Sequence, residues 1–189
     1  MQPRRRPAPN AWHARWQTDA RRPRETSMHA LNIVRADYHN PVHAQALVAM
    51  LDAYARDPAG GGKALGEFAR ANLVSALAAR PQAFSVLAFD ADQSVGLVNC
   101  IEGFSTFACR PLVNVHDLAV VASHRGQRVG ERMLALVEQI ARARGACKLT
   151  LEVLAGNHSA IKLYARTGFA SYQLDPAMGQ AQFLQKWLE

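Results

Sequence analysis

The chain has few cysteines and no long apolar run. Its 189 residues include three cysteines, Cys100, Cys109 and Cys147, which are widely spaced and form no Cys-x-x-Cys motif. This usage predicts reduced thiols, a cytoplasmic protein and no bound metal. No apolar stretch approaches the roughly 20 residues that a membrane-spanning helix requires, so no membrane partner is predicted.

The positive charge is concentrated at the N-terminal end of the chain. The formal net charge is +7, and residues 1–27 contribute +5 through seven arginines against two acidic residues. Because this segment is rich in proline and arginine and lacks periodicity, we expect a disordered basic extension. Three interpretations stay open: a targeting segment, an arm that contacts nucleic acid or an acidic membrane, or an extension upstream of a start at Met28. Residues 28–189 carry only +2, which argues against a nucleic-acid-binding groove.

The rest of the chain, residues 28–189, has the length and periodicity of a single α/β domain. Apolar or alternating runs predict strands, and apolar residues three and four positions apart predict helices. Five strands are predicted at 31–36, 84–89, 94–101, 113–121 and 148–154, with a last pair at Ala170–Leu174 and Gln180–Leu188. Helices are predicted to begin at Pro41, near Leu65, at Val129 and after Asn157.

A turn that contains glycine joins a predicted strand to a predicted helix at the centre of this domain. Its sequence is His124-Arg125-Gly126-Gln127-Arg128-Val129-Gly130. The first N–H groups of a helix have no intrahelical partners and lie at the positive end of its dipole, so this junction favours an anion. The turn lacks both the Gly-x-x-x-x-Gly-Lys-Ser/Thr and the Gly-x-Gly-x-x-Gly patterns. We therefore predict a pyrophosphate site of another kind.

The turn resembles the Arg/Gln-x-x-Gly-x-Gly/Ala signature of the GNAT superfamily of N-acetyltransferases, bacterial type. Arg125, Val129 and Gly130 match this signature, whereas Arg128 replaces its middle glycine. That replacement raises a question about the backbone shape of the turn, although an arginine also offers a phosphate contact.

A second segment carries the same resemblance. The sequence Leu151-Glu152-Val153, followed by Asn157 to Phe169, is similar to the family's Leu-Glu-Val and Asn-x-x-Ala-x-x-x-Tyr-x-x-x-Gly-Phe block. Two motifs in the right order and at the right spacing are far more specific than either alone. The resemblance covers about residues 31–189.

The resemblance implies a fold, a donor substrate and a set of contacts. The implied fold is an α/β (α+β) domain whose mixed, mostly antiparallel sheet has about seven strands flanked by about four helices. The implied donor is acetyl-CoA, from which the acetyl group passes directly to a primary amine in a ternary complex. The implied acetyl-CoA contacts are Leu118, Ala119, Val120, Arg125, Gly126, Gln127, Arg128, Val129, Gly130, Glu131, Asn157, Ala160 and Tyr164.

The same resemblance suggests the residues that transfer protons. Tyr164 occupies the position of the family's general acid, and a phenol with a pKa near 10 is protonated at neutral pH. Glu152 is the first candidate for the base, provided that burial raises its pKa. Asp117 is the second candidate and His116 the third. Strand alternation places Asp117 on the face opposite His116 and Leu118, unless a bulge interrupts the strand.

The acceptor is left open by the sequence. Hypotheses from three classes remain: an enzyme for a small amine or an antibiotic-like metabolite, a modifier of a protein N-terminus or lysine, and a non-catalytic acyl-CoA sensor or regulatory module. The resemblance places the first two helices and the glycine-rich segment Gly60–Lys63 along the acceptor site, and Arg110 is a candidate contact for an acidic acceptor. A homodimer is also left open.

Overall fold

The computed structural model describes residues 31–172, 175, 177, 179 and 181–188. The predictions for residues 1–27 lie outside these residues. The strands are β1 (Asn32–Arg35), β2 (Ala83–Asp90), β3 (Gln93–Ser105), β4 (Arg110–Val120) and β5 (Leu149–Leu151). The α-helices are α1 (Pro41–Arg56), α2 (Glu67–Ala78), α3 (Val129–Ala143) and α4 (His158–Arg166), and short 3₁₀ turns occur at Pro58–Gly60 and Ala122–His124.

The five strands form one mixed sheet in the order β1-β2-β3-β4-β5. The first four strands are antiparallel neighbours, and β5 pairs in parallel with β4. A parallel pair requires a crossover, which α3 supplies. The sequence therefore predicted the fold class correctly, with four helices beside a mostly antiparallel sheet.

Two apolar layers lie on opposite faces of the sheet, because successive side chains of a strand point to opposite sides. On one face, Val86 and Val98 pack with Met133 and Val137 of α3. On the other face, α1 covers the sheet in a second cluster formed by Leu47, Met50, Leu87, Leu97 and Ala119. The space beside β4 is therefore bounded by helices on both sides of the sheet.

Side-chain caps define the starts of α1 and α4. The Oδ1 atom of Asn40 accepts hydrogen bonds from the backbone N–H groups of Val42 and His43, and Pro41 occupies the first helical position. Asn157 caps α4 in the same way, by accepting from the N–H of Ala160 at 3.2 Å, which confirms the predicted cap.

The prediction of about seven strands is wrong for the part of the chain that the structure describes, which contains five. Residues 170–172 and 181–188 belong to no strand, and the remaining residues of the predicted last pair, 173, 174 and 180, lie outside the described set. The apolar residues of the segment 181–188 are not buried on one face, as a strand would require. The exposed ones are Phe183, Leu184, Trp187 and Leu188. A strand requires a partner ladder as well as a pattern, and these residues pack against none.

Among the described residues, no helix combines the length and the apolar character required to cross a membrane.

Candidate functional site

Strands β4 and β5 separate partway along the sheet. Their parallel pairing covers only three residue pairs and ends where Val115 pairs with Leu151. Beyond that point β4 continues to Val120, paired with β3 on its other side. The backbone groups of β4 that face β5 therefore have no strand partner among the described residues, and they border an open cleft.

The cleft that begins at this separation has a volume of about 620 Å³. Its walls come from the end of β4, the turn before α3, the C-terminal half of α1, and α4. Predicted acetyl-CoA contacts that line it are Leu118, Ala119, Val120, Arg125, Gly126, Arg128, Glu131, Asn157 and Ala160. Of the other predicted contacts, Gln127 donates to the Ser123 carbonyl oxygen, and the side chains of Val129 and Tyr164 do not line the cleft, nor does the Cα of Gly130.

The first turn of α3 opens onto this cleft. Arg128 occupies the N-cap position but supplies no side-chain cap, and the first i to i−4 bond of the helix runs from the Arg132 N–H to the Arg128 carbonyl oxygen. The N–H groups of Val129, Gly130 and Glu131 therefore precede the intrahelical ladder. Unsatisfied N–H groups at the positive end of a helix dipole suit a phosphate or pyrophosphate.

Glycine at Gly130 allows close packing against α4. A Cβ atom built there would lie 2.8 Å from the side chain of Leu163 in α4, so its absence lets the first turn of α3 approach α4 closely. At Gly126 the reason is conformational, because its φ of +78° lies in the left-handed region.

Arg128 keeps the backbone shape that the family's glycine would favour. Its φ is +60° and its ψ is 17°, an αL conformation that costs a residue with a Cβ atom about 1 kcal/mol. Replacing the glycine therefore leaves the left-handed turn in place and adds a largely exposed guanidinium at the mouth of the cleft.

Five charged side chains form ion pairs around the first turn of α3. Glu131 accepts from Arg166 of α4 at 2.9 Å and lies 4.0 Å from Arg128. Arg125 donates to Asp57 at 2.8 Å and to the Val120 carbonyl oxygen at 3.0 Å. Three guanidinium groups therefore stand at this end of the cleft, each more than half exposed and accessible to an anion.

Tyr164 is half-buried in α4, and its ring packs edge-on against Phe169 at a centroid distance of 5.7 Å. Burial, with a smaller contribution from Tyr54, raises the pKa of Tyr164 to about 12. The phenol is therefore protonated across the physiological range. It does not line the cleft directly, but Tyr54 of α1 does.

A β-bulge lies at the centre of β4. Asn99 pairs with Asp117, whereas the next residue of β3, Cys100, pairs with Val115, so His116 is the additional residue. The bulge leaves the His116 side chain exposed and places Asp117 beside Asn99, whose amide nitrogen donates to Asp117 at 3.0 Å. Asp117 thus belongs to the face covered by α1.

Glu152 lies just beyond the end of β5, and its side chain is exposed. It does not line the cleft. The burial that the prediction for this residue required is therefore not found.

Three side chains near the cleft were missed by sequence reasoning: Tyr54, Ser85 and Asn99. Burial and the nearby charge of Asp117 raise the pKa of Tyr54, whose hydroxyl lies 3.5 Å from the Ala59 carbonyl oxygen. Ser85 and Asn99 are polar residues within otherwise apolar strands, and this polar interruption was the feature of the sequence from which they could have been found. Arg110, in contrast, donates to the Gly145 carbonyl oxygen after α3.

A family model matches the central part of the chain. Residues 47–169, which include the cleft and both motifs, match the acetyltransferase (GNAT) family. The chain therefore belongs to this family.

Relatives of known name match part of the chain. It is 36% identical over 90 residues to the streptothricin acetyltransferase of Streptomyces lavendulae, covering 46% of this chain and 48% of that one. It is 30% identical over 91 residues to N-alpha-acetyltransferase 30 of Schizosaccharomyces pombe, covering 48% and 59%. The chain thus spans about half the length of these curated relatives.

Solved structures share the fold. One crystal structure, of a probable acetyltransferase, superposes with a TM-score of 0.70 at 22% identity and covers 84% of this chain and 99% of the other. At this identity the likeness concerns the fold.

Proposed function

We propose that this protein transfers an acetyl group from acetyl-CoA to a primary amine. The observation that carries the proposal is the separation of β4 from β5 beside the open first turn of α3. It provides one continuous cleft with backbone hydrogen-bonding groups at one end and helix N–H groups with arginines at the other. A thioester on a long, pyrophosphate-bearing arm matches this arrangement.

The donor is held mainly by backbone groups in this proposal. The pyrophosphate accepts from the N–H groups of Val129, Gly130 and Glu131, with Arg125 and Arg128 adding charge. The pantetheine arm runs along residues 118–120, whose N–H groups also polarise the thioester carbonyl. Asn157 contributes its side chain from the start of α4.

The reaction requires one nucleophilic step and three proton transfers. The neutral amine nitrogen attacks the thioester carbonyl carbon, the carbon–sulfur bond breaks, and the nitrogen releases its second proton to water as the amide forms. Tyr164 donates its proton to the departing thiolate. Asp117 accepts the proton of the ammonium before attack, directly or through water. Neither Asp117 nor Glu152 lines the cleft. Asp117 is partly buried on the face covered by α1, where its charge acts on the cleft-lining Tyr54, whereas Glu152 is exposed, and this difference favours Asp117.

Two relatives suggest two classes of acceptor. The similarity to a streptothricin acetyltransferase supports streptothricin or another small amine, and the similarity to an N-alpha-acetyltransferase supports a protein N-terminus. The identity with the first is higher, so a small amine is our first candidate.

Calorimetry tests donor binding. We expect acetyl-CoA to bind well, 3′-dephospho-CoA to retain most of the affinity, and adenosine alone to bind weakly, because the pyrophosphate makes the main contacts. Equal weak binding of all three would contradict the proposal. A thiol-release assay with streptothricin, aminoglycosides, polyamines, amino acids and N-terminal peptides then tests the acceptor. Binding of acetyl-CoA without turnover of any amine would favour the sensor hypothesis.

A further inference from the structure

A row of four polar side chains crosses the sheet beneath α1. The Tyr38 hydroxyl lies 3.0 Å from Ser85 Oγ, Ser85 Oγ donates to Asn99 Oδ1 at 2.6 Å, and Asn99 Nδ2 donates to Asp117 Oδ2 at 3.0 Å. The last three residues sit on adjacent strands, since Ser85 pairs with Asn99 and Asn99 pairs with Asp117. Cross-strand register thus aligns them on one face.

The two central members of this row are buried in an apolar layer. Ser85 is 0% exposed and Asn99 is 5% exposed, and among the described residues they are the only buried ones with polar side chains. Two positions further along β2 and β3, the same face carries Leu87 and Leu97. Burying polar groups costs free energy unless their hydrogen bonds are made, and here each bond leads to the next.

The hydrogen bonds of the row run in one direction, towards Asp117. The single hydroxyl proton of Ser85 is used towards Asn99, so Tyr38 is the donor in its bond to Ser85. The Asn99 amide is oriented by its neighbour, because turning it by 180° would place its oxygen against the carboxylate oxygens of Asp117. Every member therefore donates to the next, and the row ends on a carboxylate.

Only one oxygen of that carboxylate is used by the row. Oδ2 of Asp117 accepts from Asn99, whereas Oδ1 accepts no hydrogen bond from any residue that the structure describes. Oδ1 is not fully buried. Holding Oδ2 fixes the plane of the carboxyl group and leaves Oδ1 available to a donor on the acceptor side of β4.

We propose that Asn99 and Ser85 are positioning residues, which hold the Asp117 carboxylate in the orientation that receives the ammonium group of the acceptor. This inference rests on the proposed function. Tyr38 completes the row by supplying the hydroxyl hydrogen bond to Ser85.

A double-mutant cycle tests this inference. Asn99→Leu removes the donor to Asp117 with little change in volume, and we expect kcat/KM for the amine to fall about 10- to 100-fold while the Kd for acetyl-CoA is unchanged. In an Asp117→Asn background the same substitution should cost less than about twofold, because Asn99 acts through Asp117. An equal loss in both backgrounds would overturn the inference.

A matched control separates positioning from stability. Val98→Ala damages the opposite face of β3, where Val98 is fully buried, without touching the row. We expect Val98→Ala to lower Tm and leave kcat/KM of the folded protein near the wild-type value. If Val98→Ala and Asn99→Leu reduce kcat/KM equally, the row has only a structural role.

A spectroscopic measurement tests the inference without an activity assay. It also uses a milder substitution than Asn99→Leu. In protein labelled with ¹³C at aspartate carboxyl groups, we expect Ser85→Ala to shift the Asp117 resonance and Val98→Ala to leave it in place. An Asp117 resonance unchanged by Ser85→Ala would overturn the inference. A wild-type protein that acetylates no amine would instead defeat the proposed function, while the resonance still reports on positioning.

Discussion

Arg125 and Asp57 form an ion pair, with a nitrogen-to-oxygen distance of 2.8 Å, that links two segments on opposite sides of the cleft. Asp57 ends α1 and caps the 3₁₀ turn at Pro58–Gly60 by accepting from the N–H of Ala59. Arg125 belongs to the turn before α3 and also holds the Val120 carbonyl oxygen. The end of α1 and the turn before α3 are therefore connected through one guanidinium.

This ion pair predicts a pH dependence of stability. The hydrogen bond from the Ala59 N–H, and then that from Arg125, lower the pKa of Asp57 below its ordinary value of 3.8. Because the pKa of Asp57 is lower in the folded state, its ionised carboxylate stabilises the fold at pH values above 3.8. This stabilisation is lost as the pH falls through the lowered pKa of the folded state. Asp57→Asn should therefore cost about 0.2–1 kcal/mol at pH 7, as expected for an exposed pair, and almost nothing near pH 2.

Thermal unfolding of both proteins at pH 7 and near pH 2 measures this difference. Asp92→Asn, in the exposed turn between β2 and β3, serves as the control and should leave the pH dependence unchanged. A constant gap between wild type and Asp57→Asn at both pH values would show that the ion pair contributes no pH-dependent stability.

Tyr164→Phe should separate catalysis from packing. The substitution keeps the ring and its contact with Phe169 but removes the proton donor. We expect kcat to fall about 10²–10⁴-fold with little change in acetyl-CoA affinity. A loss of about 1 kcal/mol of stability with kcat intact would indicate a packing role instead. Tyr172→Phe, at an exposed position, is the control and should change neither quantity.

The alkaline side of the pH profile gives a second test of Tyr164. Burial raises the pKa of Tyr164 to about 12, so the acid form persists well above the pKa of an ordinary tyrosine. We expect kcat to show no loss assignable to Tyr164 up to about pH 10. A fall in kcat near pH 9 that disappears in Tyr164→Phe would contradict this expectation.

The identity of the base is tested by comparing Asp117→Asn with Glu152→Gln. We expect Asp117→Asn to lower kcat/KM about 10²–10⁴-fold near neutral pH, with a smaller loss at higher pH because solution then supplies more neutral amine. Glu152→Gln should leave kcat/KM nearly unchanged, because the side chain is exposed outside the cleft. The reverse result, a large pH-dependent loss only in Glu152→Gln, would return the role to Glu152.

Arg128→Gly should affect stability and ligand binding in different ways. Glycine removes the αL strain at φ +60° but adds freedom to the unfolded chain, so we expect a net change within about 1 kcal/mol. Affinity for acetyl-CoA should fall several-fold, and its salt dependence should weaken, because one phosphate-directed cation is lost. Calorimetry at two salt concentrations measures both effects.

Ala91→Gly is the matched control for this prediction. Ala91 also has a positive φ, +50°, in the turn between β2 and β3, away from the cleft. Its replacement should change stability by a similar amount without any effect on acetyl-CoA binding. If Arg128→Gly leaves the affinity and its salt dependence at wild-type values, the arginine is not a phosphate contact.

The elements that the sequence predicted well are those with local signals. Periodicity placed all four helices and the first four strands close to their observed bounds, and Asn157 was predicted as a cap from its residue type. The glycine turn before α3 was also predicted from local residues, since its glycines and the helix that follows are contiguous. In each of these cases the residues that cause the structure lie within one short stretch of the sequence.

The features that the sequence left open or did not predict depend on pairing across the sheet. The bulge at His116 exists because β3 and β4 differ by one residue in register, and neither strand shows this alone. The row through Ser85 and Asn99 likewise needs the alignment of three strands. The exposure of Glu152 was not predicted either, because it follows from the end of β5 at Leu151, where the pairing with β4 stops.

The separation of β4 from β5 has a consequence for how such a domain diversifies. Under the proposed function, donor recognition depends largely on main-chain groups that every residue type supplies, whereas acceptor recognition depends on side chains along α1 and the bulged strand. Substitutions around the acceptor therefore accumulate with little penalty to donor binding. One scaffold is in this way free to change the amine that it modifies while its acetyl source stays constant.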